Sequence, residues 1–269
     1  MSGNLDRDSS KTARVDGDVV VEAEGISHSY GDTRVLDSVS FSLVEGSLNG
    51  IVGPNGSGKS TLVRILTGLL EATDGEVTVH GERDDGRQVG YLPQKAEYRS
   101  AFTVKETLEF YSRLVRDSSQ SPEEALELVG LSGAADTDVD GLSGGMLRLL
   151  GIAQSTIGDP SVIFLDEPTS GLDPTMSYRI FEVLRDLADR GTTVVVTSHD
   201  LTLIETNVDR LLLLDEGRLQ LDGSPEEVVE TEGYGSLADL FGDMVEEKEG
   251  TTVRHGHGNE DEDGDGGEA

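Results

Sequence analysis

Asn49-Gly-Ile-Val52-Gly53-Pro54-Asn55-Gly56-Ser57-Gly58-Lys59-Ser60-Thr61-Leu-Val-Arg-Ile-Leu-Thr67 is the stretch that decides how this chain folds. Asn49–Val52 is a short apolar run of the kind buried in a parallel sheet, and Thr61–Thr67 has the apolar spacing of a helix. Between them stands Gly-x-x-x-x-Gly-Lys-Ser, a pattern in which glycines let backbone N–H groups turn inward around an anion. The start of the helix adds its partial positive charge, Lys59 is placed to reach terminal phosphates, and Ser60 is placed to hold Mg²⁺. A glycine-rich turn before a helix can also be only a turn. The strand on one side and the helix on the other supply the context that a phosphate loop requires.

Outward from this loop, Val89–Leu92, Val162–Leu165, Thr193–Thr197 and Leu211–Leu214 form further apolar runs separated by helical patterns. That alternation predicts a parallel sheet with crossover helices. Val19–Ala23, Ser40–Leu43 and Glu76–His80 alternate apolar with polar residues and predict a small antiparallel region beside it. No buried strand is expected between Gln94 and Gly141; Thr103-Val-Lys-Glu106 and Ser121-Pro-Glu-Glu124 are capping boxes, so residues 94–141 are expected to be a helical insertion. Ser224-Pro-Glu-Glu227 opens a late helix in the same way. Residues 1–18 and 245–269 are too polar to pack and are expected to be disordered, which leaves 19–244 as the folded domain.

The 269 residues include 53 Asp and Glu against 21 Lys and Arg, a formal charge of −32. The segment from Glu246 onward holds nine of those acids and two of the bases, so most of the excess belongs to the folded surface. Such a surface has no basic stripe to neutralise a phosphate backbone, and DNA or RNA is not expected as partner. Only five residues are Lys, and an acid-rich, Lys-poor surface resembles those of proteins from salt-saturated cytoplasm, where screening shortens to about 3 Å at 1 M. The absence of Cys excludes disulfide and thiolate chemistry. No apolar run approaches the roughly 18 residues of a membrane span, and Met1 to Asp18 lacks the basic and apolar stretches of a signal peptide. A cytoplasmic location is therefore expected.

Val162-Ile-Phe-Leu165-Asp166-Glu167 is an apolar strand ending in two carboxylates, and open parallel sheets bind ligands at the carboxyl ends of their strands. Asp166 is placed to meet Mg²⁺ through water, and Glu167 to orient or deprotonate an attacking water. Alone, the pair could be capping acids; a phosphate loop about 100 residues earlier makes it a functional pattern. Leu142-Ser143-Gly144-Gly145 then opens a long apolar helix, a second possible anion nest. With Ser170-Gly171-Leu172-Asp173 and Ser198-His199-Asp200 these motifs stand in the order and spacing of the ATP-binding cassette family, which the chain resembles over about residues 19–230.

The resemblance implies a fold and a site. The fold is α/β, a P-loop NTPase with a RecA-like parallel sheet, a small antiparallel β region and an α-helical subdomain. The site takes ATP and Mg²⁺. The nucleotide would be bound by Gly53, Pro54, Asn55, Gly56, Ser57, Gly58, Lys59, Ser60 and Thr61, with Tyr30 matching the aromatic that stacks on adenine. The metal would be held at Ser60, Gln94 and Asp166. Glu167 matches the catalytic base, His199 the γ-phosphate contact, and Gln94 of Tyr91-Leu-Pro-Gln94 the link to the helical insertion. Ser143, Gly144, Gly145 and Asp173 match groups that complete the site of an opposite subunit, so a dimer, homo- or heterotypic, is implied.

One cassette without a spanning segment implies an ATP-hydrolysing transporter subunit whose permease is a separate membrane chain, with the subunit peripheral on the inner face of the membrane. A groove around Gln94–Phe102 is expected to receive that partner. Met146 in place of the usual Gln, with Leu149 and Gln154 where Arg is common, resembles the branch serving efflux-type permeases for drugs, polysaccharide, haem or copper. The alternative is a soluble cassette ATPase of the iron–sulfur cluster assembly type. Translation-type members carry two cassettes and DNA-repair members a long coiled coil, and neither pattern is present here. A nucleotide sensor without turnover is a third reading, opposed by the intact Glu167 and His199. His255 and His257 in the acidic tail are a candidate transition-metal pair or a solvated linker.

Overall fold

The computed structural model of the chain describes residues 17–81, 87–115 and 120–244. Expectations for residues 1–16 and 245–269, including the His255 and His257 pair, fall outside the described residues. Among the described residues, nine strands and seven α-helices of seven to sixteen residues, with a further helical stretch at 237–244, are arranged as two sheets with helices packed around them. Their order is β1 (Val19–Tyr30), β2 (Thr33–Val44), β3 (Leu48–Val52), α1 (Lys59–Leu66), β4 (Asp74–Val79), β5 (Val89–Leu92), α2 (Val104–Ser112) and α3 (Pro122–Val129), followed by α4 (Gly144–Thr156), β6 (Val162–Asp166), α5 (Pro174–Asp189), β7 (Thr193–Thr197), α6 (Leu201–Asn207), β8 (Arg210–Asp215), β9 (Arg218–Gly223) and α7 (Pro225–Glu232).

The large sheet has the order β5-β6-β7-β3-β8-β9. Its first five strands are parallel and every residue of β3, β6, β7 and β8 is buried, which is why these strands are continuous apolar runs rather than alternating ones. The two faces divide by the period of two. Val52, Ile163, Leu165, Val194 and Val196 pack under helices α2–α6, whereas Ile51, Val162, Phe164, Val195 and Leu212 pack against α1 and the small sheet. The strand expected at Leu211–Leu214 continues through a tight hairpin into antiparallel β9, so the sheet is not wholly parallel. Glu216 and Gly217 turn it with φ of 47° and 75°, the left-handed pair that a two-residue hairpin requires.

The small sheet, ordered β2-β1-β4, is antiparallel as expected, but β1 and β2 are each 12 residues long. The shorter runs at Val19–Ala23 and Ser40–Leu43 are only parts of them. Register shifts lie between Ala23 and Ile26, where Gly25 takes φ 61°, and Ser38 of β2 takes φ 55°. Each bulge shifts the inward face by one residue and breaks the alternation by which a strand is recognised in sequence. All three capping boxes form: Thr103 with Glu106, Ser121 with Glu124, and Ser224 with Glu227. Each such cap contributes about 1 kcal/mol to its helix. The phosphate-loop helix starts at Lys59 rather than Thr61, because Gly58 is its cap residue.

Candidate nucleotide site

Three loops meet where β3, β6 and β7 end, side by side at the carboxyl edge of the sheet. The loop after β3 needs its glycines. A Cβ at Gly53, whose φ is 153°, would lie 1.9 Å from the Leu214 carbonyl oxygen, and one at Gly58, whose φ is 105°, would lie 2.8 Å from Leu36 and 2.9 Å from the Val35 carbonyl. The Lys59 ammonium folds back and donates to the carbonyl oxygens of Gly53 at 2.8 Å and Pro54 at 3.0 Å. Burial lowers the Lys59 pKa, with Glu167 and Asp166 pulling it partly back up. The hydroxyl of Ser57 is buried with no hydrogen-bond partner among the described residues.

At the end of β6, Asp166 is 5% exposed and accepts from the Thr197 hydroxyl at 2.7 Å and the Ser60 hydroxyl at 3.4 Å. The same Thr197 oxygen accepts the Glu167 N–H at 2.9 Å. Glu167 is one of four described residues other than Gly with positive φ, at 48°. The Glu167 carboxylate then takes the Gln94 amide at 3.3 Å and lies 3.4 Å from Nδ1 of His199, both on Oε2. His199 sits on a turn that the Ser198 and Asp200 side chains hold, Ser198 accepting from Asp200 N–H at 3.0 Å and Asp200 capping α6 at Leu203 at 3.1 Å. Sequence reasoning found each of these groups except Thr197, whose only signal is a hydroxyl at the end of an apolar strand.

The residues fit a nucleoside triphosphate with a hard cation. The glycine cradle leaves room for phosphate oxygens at the backbone, Ser57 offers an unused hydroxyl, and Lys59 offers an ammonium held only by carbonyl oxygens. Ser60 and Asp166 are oxygen donors, and no cluster of three His, Asp or Glu gathers there among the described residues. A cation at this point would draw its remaining ligands from phosphates and water, the habit of Mg²⁺.

The ABC transporter family model matches residues 36–170. The chain is 36% identical over 239 residues to the Nod factor export ATP-binding protein I of Rhizobium sp. (strain N33), covering 85% of this chain and 79% of that protein. It is likewise 36% identical over 232 residues to the protein of that description from Burkholderia orbicola (strain AU 1054), covering 82% and 76%. The chain belongs to the ABC transporter family. Its fold superposes on that of an ATP-binding subunit of an ABC transporter with a TM-score of 0.73 at 25% identity, covering 84% of this chain and 99% of the other. A dimeric ATP-binding cassette in a post-hydrolysis state with ADP and Pi matches with a TM-score of 0.66 at 26% identity, covering 76% and 98%. This ABC protein is thus an ATP-binding, ATP-hydrolysing subunit of a transporter. No helix among the described residues is long and apolar enough to cross a membrane.

The remaining motif residues of this ABC subunit, Ser143 and Asp173, use their side chains as helix caps. Ser143 caps α4 by accepting from Met146 N–H at 3.3 Å, and Asp173 caps α5 by accepting from Met176 N–H at 3.1 Å. The two helix starts touch: a Cβ at Gly145 would lie 2.6 Å from the Met176 side chain, and one at Gly144 would lie 3.8 Å from Leu172. No side-chain hydrogen bond of Ser143 or Asp173 among the described residues reaches Lys59, Asp166 or Glu167. Met146 packs, half-buried, against the core. Tyr30, at the tip of the β1–β2 hairpin, is 49% exposed. The hairpin is tied to the phosphate loop through the β8–β9 turn, with Asp37 N–H donating to Gly217 O at 2.8 Å and Gly217 N–H to Ser57 O at 3.1 Å.

A groove of about 270 Å³ opens between the segment after Gln94 and α2, lined by Glu97, Tyr98, Arg99, Phe102, Thr107, Phe110 and Tyr111. It starts at Glu97, three residues beyond Gln94, which faces Glu167 instead. The Arg99 guanidinium lies 4.4 Å from the Phe110 ring and 5.4 Å from that of Phe102. Two bonds join this segment to the signature helix: Tyr98 Oη donates to Leu147 O at 3.3 Å and Arg148 to Pro93 O at 3.3 Å. Burial pushes the Tyr98 phenol well above its ordinary range, so it remains a donor.

Proposed function

We propose that the chain powers an export-type transporter, binding MgATP in a dimer and handing the motion of hydrolysis to a separate permease. The observation that carries the reading is the convergence on Glu167: a strained turn, Gln94 and His199 on one carboxylate oxygen, beside the buried Lys59. A carboxylate so held can take the proton of an attacking water while Lys59 and His199 balance charge on the phosphate oxygens. Mg²⁺, when bound, neutralises phosphate charge; Ser60, Asp166 and Gln94 would hold it. Tyr30 would stack on the base. Ser143, Gly144, Gly145 and Asp173 would act on the ATP held by the facing subunit, a reading supported by the Ser143 and Asp173 side chains bonding only at their own helix starts among the described residues.

Export is supported by the likeness to the Nod factor export ATP-binding proteins. Within that class the cargo is set by the permease, and drug, polysaccharide, haem or copper-related molecules remain the candidates. The aromatic groove fits an amphipathic helix of the permease on the membrane's inner face. Its two bonds to α4 give a route from groove to signature. Replacing Glu167 by Gln tests the catalytic assignment: ATP binding should persist, a closed ATP-bound dimer should accumulate, and hydrolysis should fall by about 10²-fold or more. Parental turnover in that variant would remove Glu167 as base. Affinity capture of the tagged chain in mild detergent and molar KCl tests the transporter reading. Recovery of a polytopic membrane protein supports it, and recovery of soluble partners alone overturns it in favour of a cluster-assembly role.

A further inference from the structure

Five buried side-chain polar atoms have no hydrogen-bond partner among the described residues, and two of them are the ring nitrogens of His28. A third, the Ser57 hydroxyl, belongs to the phosphate loop. His28 is 8% exposed, and the catalytic reading makes no use of it. Burying an imidazole with both nitrogens unanswered is costly, and an aliphatic side chain would fill the space without that cost. The surroundings show what the ring does offer. Its centroid is 4.7 Å from that of Tyr30 with the planes at 77°, an edge-to-face pair. Across the hairpin His28 stands opposite Leu36, and Leu36 is the side chain that closes on Gly58 of the phosphate loop. His28 therefore sits beneath the exposed Tyr30 and beside the residue that leans on the loop.

We propose that His28 is a positioning residue for nucleotide binding: its ring holds Tyr30 in the orientation that stacks on the base. The inference rests on the reading of Tyr30 as the base platform. An exposed tyrosine at a hairpin tip is free to rotate, and the entropy lost on stacking weakens binding. A buried partner ring in edge-to-face contact fixes it beforehand. An aromatic pair of this kind corresponds to about a 3- to 10-fold change in affinity. His28 acts on the base side alone, so binding of the phosphates to Lys59 and the rate of hydrolysis at saturation should not depend on it.

The test uses the full chain in molar KCl, with calorimetric Kd for ATP and for inorganic tripolyphosphate, and kcat from phosphate release. The variants are Tyr30→Ala, His28→Leu, His28→Phe and the double variant. His28→Leu and Tyr30→Ala should each weaken ATP by about 3- to 10-fold, and His28→Leu should keep kcat and tripolyphosphate affinity within about twofold of the parent. His28→Phe should return most of the affinity, and His28→Leu should add nothing in the Tyr30→Ala background. If His28→Leu does not fold, His28→Asn removes the ring while keeping a polar side chain and carries the same expectation. Unchanged ATP affinity in His28→Leu, additive losses in the double variant, or equal loss of tripolyphosphate binding each overturns the proposal. Unchanged affinity in Tyr30→Ala overturns the base-platform reading instead, and the proposal with it.

Discussion

Thr197→Val removes one hydroxyl from a side chain that is 0% exposed and nearly keeps its volume. That oxygen donates to Asp166 at 2.7 Å and accepts the Glu167 N–H at 2.9 Å, so its loss breaks two bonds at once. The bond to the buried carboxylate is charge-assisted, worth about 1.5–3 kcal/mol, and the orphaned N–H costs about 1–3 kcal/mol. The added methyl recovers part of this by burial, leaving a destabilisation of about 2–5 kcal/mol. For a domain of this size that lowers Tm by about 5–15 °C. Catalysis should suffer separately. Glu167 holds φ of 48°, a conformation costing a non-glycine residue about 1–3 kcal/mol, and the Thr197 bond is what secures its N–H there. Once released, the carboxylate leaves Gln94 and His199, and kcat should drop by about 10-fold or more, given that 1.36 kcal/mol is a factor of ten. The phosphate loop is untouched, so ATP affinity should stay within about threefold of the parent, a shift of under 1 kcal/mol. Scanning calorimetry, phosphate release and ATP titration in molar KCl read the three quantities, with Thr197→Ser, which keeps the hydroxyl, expected to hold near-parental kcat. A valine variant that melts within about 2 °C of the parent, below the range expected for a lost kcal/mol, and turns over normally refutes the reasoning.

Gly53→Ala should abolish measurable ATP binding by calorimetry, because its Cβ would stand 1.9 Å from the Leu214 carbonyl and force β8 away from the loop. Asp222→Ala leaves Arg210, 7% exposed and joined to Asp222 at 2.6 Å, with no carboxylate partner; the urea midpoint should report a loss of about 3–5 kcal/mol. Lys59 has a folded-state pKa below its ordinary 10.5, chiefly through burial, so the unfolded chain holds the proton over that window and folding gains as pH rises through it. Thermal scans of nucleotide-free parent and Lys59→Met should therefore differ by an amount that moves in the parent's favour as pH rises toward 10.5, and a constant difference refutes the sign. With a formal charge of −32, lowering KCl from about 1 M to about 0.1 M lengthens screening from about 3 Å to about 10 Å and should lower Tm; a flat melting curve against salt removes the high-salt reading of the acidic surface.

What the chain declares in sequence and what it hides follow one physical division. The loop between β3 and α1 needs glycines where no Cβ fits, and Gly53 and Gly58 therefore stand in a recognisable spacing. Buried parallel strands need apolar residues on both faces, so β3, β6, β7 and β8 are legible as unbroken runs. The bulged β1 and β2 are legible only in fragments, since Gly25 and Ser38 shift the inward face partway along each strand. Strand β9 is short and largely half-exposed, with only Leu219 and Leu221 apolar, and a non-glycine residue, Glu216, occupies a left-handed turn position beside Gly217. Thr197 and His28 are hidden for another reason. A threonine in a strand and a histidine near a turn each have an ordinary local explanation, and what they do depends on partners 31 and 2 residues away, Asp166 and Tyr30. Groups proposed to touch ATP are constrained by the shape of ATP, which does not vary, and so they form motifs. Groups that hold those residues in place are constrained only by the neighbours this chain supplies, so they become visible when the distances between them are known.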